Sequence, residues 1–90
     1  MTDFQYIEKL LVQLLELLKT VFIESERKEV QDLIDVGEYG VALETLVDII
    51  DEENKKIPGE ALWLIKNLAK AMHIDEGELD EKLRSRISDS

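Results

Sequence analysis

From Asp3 to Phe22, apolar residues recur at alternating spacings of four and three: Ile7, Leu11, Leu14, Leu18 and Val21. That period predicts a helix over 3–22, with Thr2 or Asp3 as its N-cap and no Gly or Pro to break it before Ile23. Leu10, Leu15, Leu17 and Phe22 widen the stripe, as expected of a helix packed from several sides. The heptad spacing leaves a homodimer through helix 3–22 open.

A second helix is expected over 26–36, capped by Ser25 and stopped by Gly37 as a left-handed C′ glycine. Val30, Leu33 and Ile34 form its stripe, with Lys28, Asp32 and Asp35 pointing the other way. A third runs from about Glu38 to Glu53. At 100° per residue, Tyr39, Ala42, Leu43, Leu46, Ile49 and Ile50 share one face. Glu44, Asp48 and Asp51 share the opposite one. Gly40, in the first turn, permits another backbone to come close. The polar stretch Glu52–Gly59 reads as a loop, and Pro58 suits a helix start. The fourth helix, about 59–73, turns Ala61, Leu64, Ile65, Leu68 and Met72 inward. Asp75 and Glu78 open a short fifth helix, 76–87, with Leu79, Leu83 and Ile87 as its thin stripe. Ser88–Ser90 are expected to fray. With no strand signal and short loops, the fold class is all-α. The architecture expected is a compact bundle of four main helices plus a short C-terminal fifth, forming one domain over 1–90.

Composition narrows what such a fold does. The chain has 90 residues, 44% hydrophobic and 36% charged, which argues against disorder. Cysteine is absent, which removes disulfides, thiol chemistry and Cys-ligated metals. The formal net charge is −10, unfavourable for nucleic acid and for anionic membrane surfaces. No basic n-region leads the apolar N-terminus and no apolar run is long enough to span a bilayer, so a cytoplasmic location is expected. The charge is concentrated. Residues 24–53 hold eleven acids against Arg27 and Lys28, a net −9, whereas 54–74 hold four lysines against Glu60. Like charges at i, i+4, such as Glu44 and Asp48, destabilise a helix. That cost fits a landing face for a cationic partner as well as it fits plain solubility.

Catalytic and cofactor chemistry finds no support. The single histidine, His73, reads as a helix-ending polar residue rather than a member of a triad or a zinc site. There is no Gly-rich phosphate loop. Calcium-loop spacing fails from Asp48 and from Asp51. Ser25, between Glu24 and Glu26, lacks the Asp-Ser-Leu motif of an acyl carrier protein. The chain is expected to be no enzyme, with no cofactor and no metal.

The segment Asp35-Val36-Gly37-Glu38-Tyr39-Gly40-Val41-Ala42-Leu43-Glu44-Thr45-Leu46-Val47-Asp48 resembles the central motif of a family of small helical bacterial immunity proteins. These are of the MafI type, related to those of contact-dependent growth inhibition systems. Members carry an Asp-x-Gly-Glu-x-Gly turn, then Ala-Leu-Glu in an acidic helix, then a further helix after a short loop, here at Ile57-Pro58. The resemblance covers about residues 30–74. It implies a cytoplasmic antidote that binds a cognate basic toxin domain, often a nuclease, one to one, and occludes its substrate surface. An acidic dimerisation or adaptor module is the rival reading. The acids expected to meet such a partner are Asp32, Asp35, Glu38, Glu44, Asp48, Asp51 and Glu52. Tyr39 is expected in the core rather than at a contact. Trp63 projects from the polar side of its helix, near Lys66, Asn67 and Lys70. It is expected to be covered by the first helix or the tail, to lie under the two lysines, or to anchor a partner.

Overall fold

The structure, a computed structural model, describes residues 3–88. It is all-helical: α1 (Phe4–Leu17), α2 (Glu24–Asp35), α3 (Tyr39–Glu52), α4 (Gly59–Ala71) and α5 (Glu76–Leu83), then a 3₁₀ turn, Arg84–Arg86. Its extents are 36 × 28 × 20 Å. The short dimension is about two helix diameters, so each helix keeps a face in solvent. α1 packs on α2, α3 and α4; α2 lies on α3, and α5 closes over α3 and α4.

One apolar cluster joins all five helices. Ile7, Leu11, Leu14 and Leu18 are sealed in it, so the heptad positions of the first helix are used within the chain's own core. Val47, which the facial count on the third helix omits, is buried too.

Helix ends account for most departures from the sequence-based reading. Asp3 caps α1, accepting from the Tyr6 amide at 3.1 Å; Thr2 lies outside the described residues. The helix ends at Leu17 rather than at Phe22. The chain turns at Leu18, whose carbonyl accepts from both Val21 and Phe22, and the turn carries Phe22 into the core. Lys55, arriving from beyond α3, fixes that turn. Its ammonium donates to the Val21 carbonyl at 3.1 Å, pairs with Glu26 at 2.9 Å and lies 5.6 Å from the centre of the Phe22 ring. Ser25 is not the cap of α2. Ile23 holds that position, and the Glu26 carboxylate reaches back to its amide at 3.0 Å, the acidic half of a capping box.

The ends of α2, α3 and α4 share one geometry. Gly37, Asn54 and His73 take φ of 79°, 55° and 58°. In each case the next amide bonds five residues back, as Glu38 to Leu33, Lys55 to Ile50 and Ile74 to Ala69. This is the Schellman closure, with the left-handed residue at C′. Gly37 stops its helix as expected, and His73 ends α4.

The loop 53–58 is not wholly polar, because Ile57 is fully buried. Its amide donates to the Arg86 carbonyl and its carbonyl accepts from the Ser88 amide, both at 2.8 Å, forming an isolated parallel bridge with Ile87. The fifth helix therefore stops at Leu83 instead of Ile87, and Ser88 is tied down rather than frayed. Asp89 and Ser90 lie outside the described residues. Asp75 caps α5, accepting from Gly77 and Glu78. Gly40 does not serve a close approach within the chain: a Cβ there would meet nothing within 4 Å.

Candidate functional site

The acids of α3 form a row at intervals of one turn: Glu44, Asp48 and Glu52, all exposed. α2 lies alongside and contributes Glu26 and Glu29. Together Glu26, Glu29, Asp48, Glu52 and Glu53 surround an open groove of about 390 Å³, floored by Thr45 and Ile49. Burial pushes the Glu26 carboxyl up, but the Lys55 ammonium and the Ile23 amide outweigh it and hold the group below its ordinary value. Glu26 is thus committed to the fold. Glu29, Glu44, Glu52 and Glu53 have no ion-pair partner among the described residues.

The groove's geometry opposes helix stability. α3 has no basic residue in its last turn. Instead Asp51, Glu52 and Glu53 sit at the negative end of its dipole, each unfavourable by about 0.3–1 kcal/mol at low salt. The chain offsets only part of this. Arg86 donates to the Asp51 carbonyl at 3.1 Å and to its carboxylate at 3.2 Å. Lys82 of α5 reaches Asp48 at 3.5 Å. Asp48 and Asp51, like Asp32 with its partner Lys28, thus already hold intramolecular cations, and Asp51 in particular anchors the C-terminal segment.

The other expected residues are scattered around this row. Asp32 pairs with Lys28 at 3.3 Å and Asp35 accepts from Gln31 at 2.8 Å. Both are exposed on α2, but neither lines the α2–α3 groove. Glu38 is exposed at the N-cap of α3 and makes no side-chain capping bond. It shares a second cleft with Glu44, between the start of α1, the α2–α3 turn and the end of α4. That cleft is lined by Phe4, Tyr39, Val41, Met72 and Ile74. Tyr39 is half-buried rather than sealed in the core. Its ring centre lies 6.0 Å from that of Phe4, and its hydroxyl donates to Glu8 over 3.5 Å. Partial burial, then the neighbouring Glu8 carboxylate, raise the phenol above its ordinary value.

Trp63 stands apart on α4. It is 63% exposed, over a shallow dish bounded by Gln13, Glu16, Leu17 and Glu60. Among the described residues, neither the first helix nor the tail covers it. Lys66 and Lys70 turn instead toward Asp80 and Glu76 of α5, at 3.5 and 3.9 Å. The one cation–π contact among the described residues is that of Lys55 with Phe22.

Glu29 and Glu53 were not singled out by the sequence. Both were visible as acids, but only the pairing of α2 with α3 brings them to one groove. Among the described residues no group of three or more His, Cys, Asp or Glu side chains is arranged to hold a metal ion, and no helix is long and apolar enough to cross a membrane. Comparison with protein-family models, with curated proteins and with solved structures returns no match.

Proposed function

We propose that this chain is an immunity-type inhibitor, not an enzyme, which binds and neutralises a cognate cationic toxin domain one to one in the cytoplasm. The observation that carries this reading is the groove of carboxylates between α2 and α3. Three of its acids, Glu29, Glu52 and Glu53, hold no cation, and Glu52 and Glu53 oppose the α3 dipole, so these unpaired charges lower the stability of the free protein. Surface charge kept against such a cost fits a partner of opposite sign. A nuclease must be cationic where it holds phosphates, so an acidic helical face of this kind occludes that surface. The resemblance of residues 35–48 to immunity proteins points the same way. Glu44, Asp48 and Glu52, with Glu29 and Glu53, make the central contact. Asp32, Asp35 and Glu38 extend it along α2 and the turn, and Asp51 contributes after Arg86 is displaced. Trp63 is a separate apolar anchor.

The test is association with the polypeptide encoded in the adjacent reading frame, followed by stopped-flow at several ionic strengths. Glu29→Lys/Glu52→Lys changes two groove acids that hold no ion-pair partner among the described residues. Association is expected to slow roughly tenfold at low salt, and its salt dependence to flatten. Equal rates for variant and wild type would reduce the acidic face to solvation. A second reading, a dimerisation or adaptor module with no toxin partner, is favoured by one observation: Trp63 lies open beside Gln13 and Leu17 of α1. Sedimentation of the chain alone separates the two, since that module self-associates through Trp63 and the inhibitor does not.

A further inference from the structure

The glycine at position 40 has no explanation inside the molecule. Its φ is not positive, so the backbone does not require glycine. A Cβ there would meet nothing within 4 Å, so packing does not require it either. In the first turn of a helix, glycine costs stability relative to alanine. Gly37, three residues earlier, differs in needing glycine for its φ of 79°. Gly40 also lies on the floor of the second cleft, about 430 Å³ of open space with an apolar lining. Phe4 is 62% and Val41 45% exposed there, two of the large apolar side chains that the described residues leave open to solvent. Glu38 and Glu44 are the charged residues of the lining.

We propose that this cleft is the apolar anchor point for a cationic polypeptide. One large apolar side chain of the partner enters between Phe4, Val41 and Met72. The partner's backbone crosses over Gly40, where the absent side chain leaves room, and a neighbouring Lys or Arg meets Glu38 and Glu44. The occupant is cationic because the rim of the cleft is acidic and Glu44 continues directly into the α3 row. This rests on the reading that the acidic face binds a cationic partner. It adds a second element, shape at a glycine, that charge alone does not provide.

A random dodecapeptide display library, selected on the full chain, supplies the probes. Enriched peptides are synthesised and titrated into isotope-labelled protein. Peptides combining an aromatic or large aliphatic residue with two or more Lys or Arg are expected. They should shift the amides of 37–44 and 72–74 and bind about tenfold more weakly to Gly40→Val. Gly40→Ala serves as the fold control, with a melting temperature a few degrees above wild type. Glu29→Lys/Glu52→Lys, away from the cleft, tests the acidic face separately. If that variant weakens the peptides while Gly40→Val does not, the cleft proposal fails and the acidic-face reading stands. If the enriched peptides are neutral or acidic, both fail. If no peptide is enriched, or if Gly40→Val abolishes a concentration-dependent dimer, the cleft does not serve a cationic partner.

Discussion

Three residues in the left-handed region close three helices with the same pair of backbone hydrogen bonds, yet only Gly37 is a glycine. The stability effects of substitution there should therefore have opposite signs. Gly37→Ala forces a Cβ into φ 79° and is expected to cost about 1 kcal/mol. Asn54→Gly and His73→Gly relieve the same strain and are expected to raise stability by a few tenths of a kcal/mol to about 1 kcal/mol. Urea unfolding of the three variants checks this directly. A second residue-scale expectation concerns Glu26. Its carboxyl is held below the ordinary 4.5, so the folded state favours the charged form. That contribution is fully present above the unfolded value. It is lost as pH falls through the lower folded value. Glu26→Gln should lower the melting temperature at pH 7, by an amount that corresponds to about 1–3 kcal/mol for a half-satisfied Lys55. The gap to wild type should close progressively below about pH 4.5. A gap that stays constant down to pH 2.5 would remove the charge from the explanation.

At the scale of elements, if the acidic face binds as we propose, the C-terminus of α3 sets stability against binding. Glu52→Gln/Glu53→Gln removes two carboxylates from the negative end of the dipole and is expected to stabilise the free protein by about 0.5–1.5 kcal/mol. The same change should weaken the cationic partner. Stabilisation without loss of binding would mean these acids are not at the interface. Ile57→Ala, by contrast, should cost about 2–5 kcal/mol, because it empties a fully buried site beneath the bridge to Ile87. These two cases also mark what was legible in the sequence. Long periodic runs such as 4–17 and 39–52 declare their buried faces because burial and the helical repeat must agree. Ile57 and Lys55 are single residues in an aperiodic stretch, and their roles depend on Arg86, Ser88 and the 18–22 turn, distant in the chain. Nothing local marks them. The cap of α2 misleads for a related reason. Ser25 has the favoured side chain, but the Glu26 carboxylate, pinned by Lys55, closes the end two residues earlier, at Ile23.

Across the whole molecule, charge and apolar exposure are distributed unequally. The acidic excess lies on α2 and α3, while Trp63 looks out from α4. The sequence indicated the excess through residues 24–53 and the outward direction of Trp63 through the helical angle. It did not show that Lys82 and Arg86 return to Asp48 and Asp51, since that depends on α5 folding back over α3. For Trp63 the expected emission of the isolated chain is red-shifted and readily quenched by iodide. Blue, quencher-resistant emission from a verified monomer would contradict the exposure described here. On the proposed function, the carboxylate groove between α2 and α3 captures a cationic polypeptide. The most direct measurement is the association rate of this chain with the adjacent reading frame's product, across ionic strengths, for wild type and Glu29→Lys/Glu52→Lys. A stoichiometric complex whose wild-type rate falls steeply with salt, and whose variant rate is roughly tenfold lower at low salt with a shallower slope, is the predicted result. Absence of a complex, or wild-type and variant rates that coincide at every salt concentration, would contradict it.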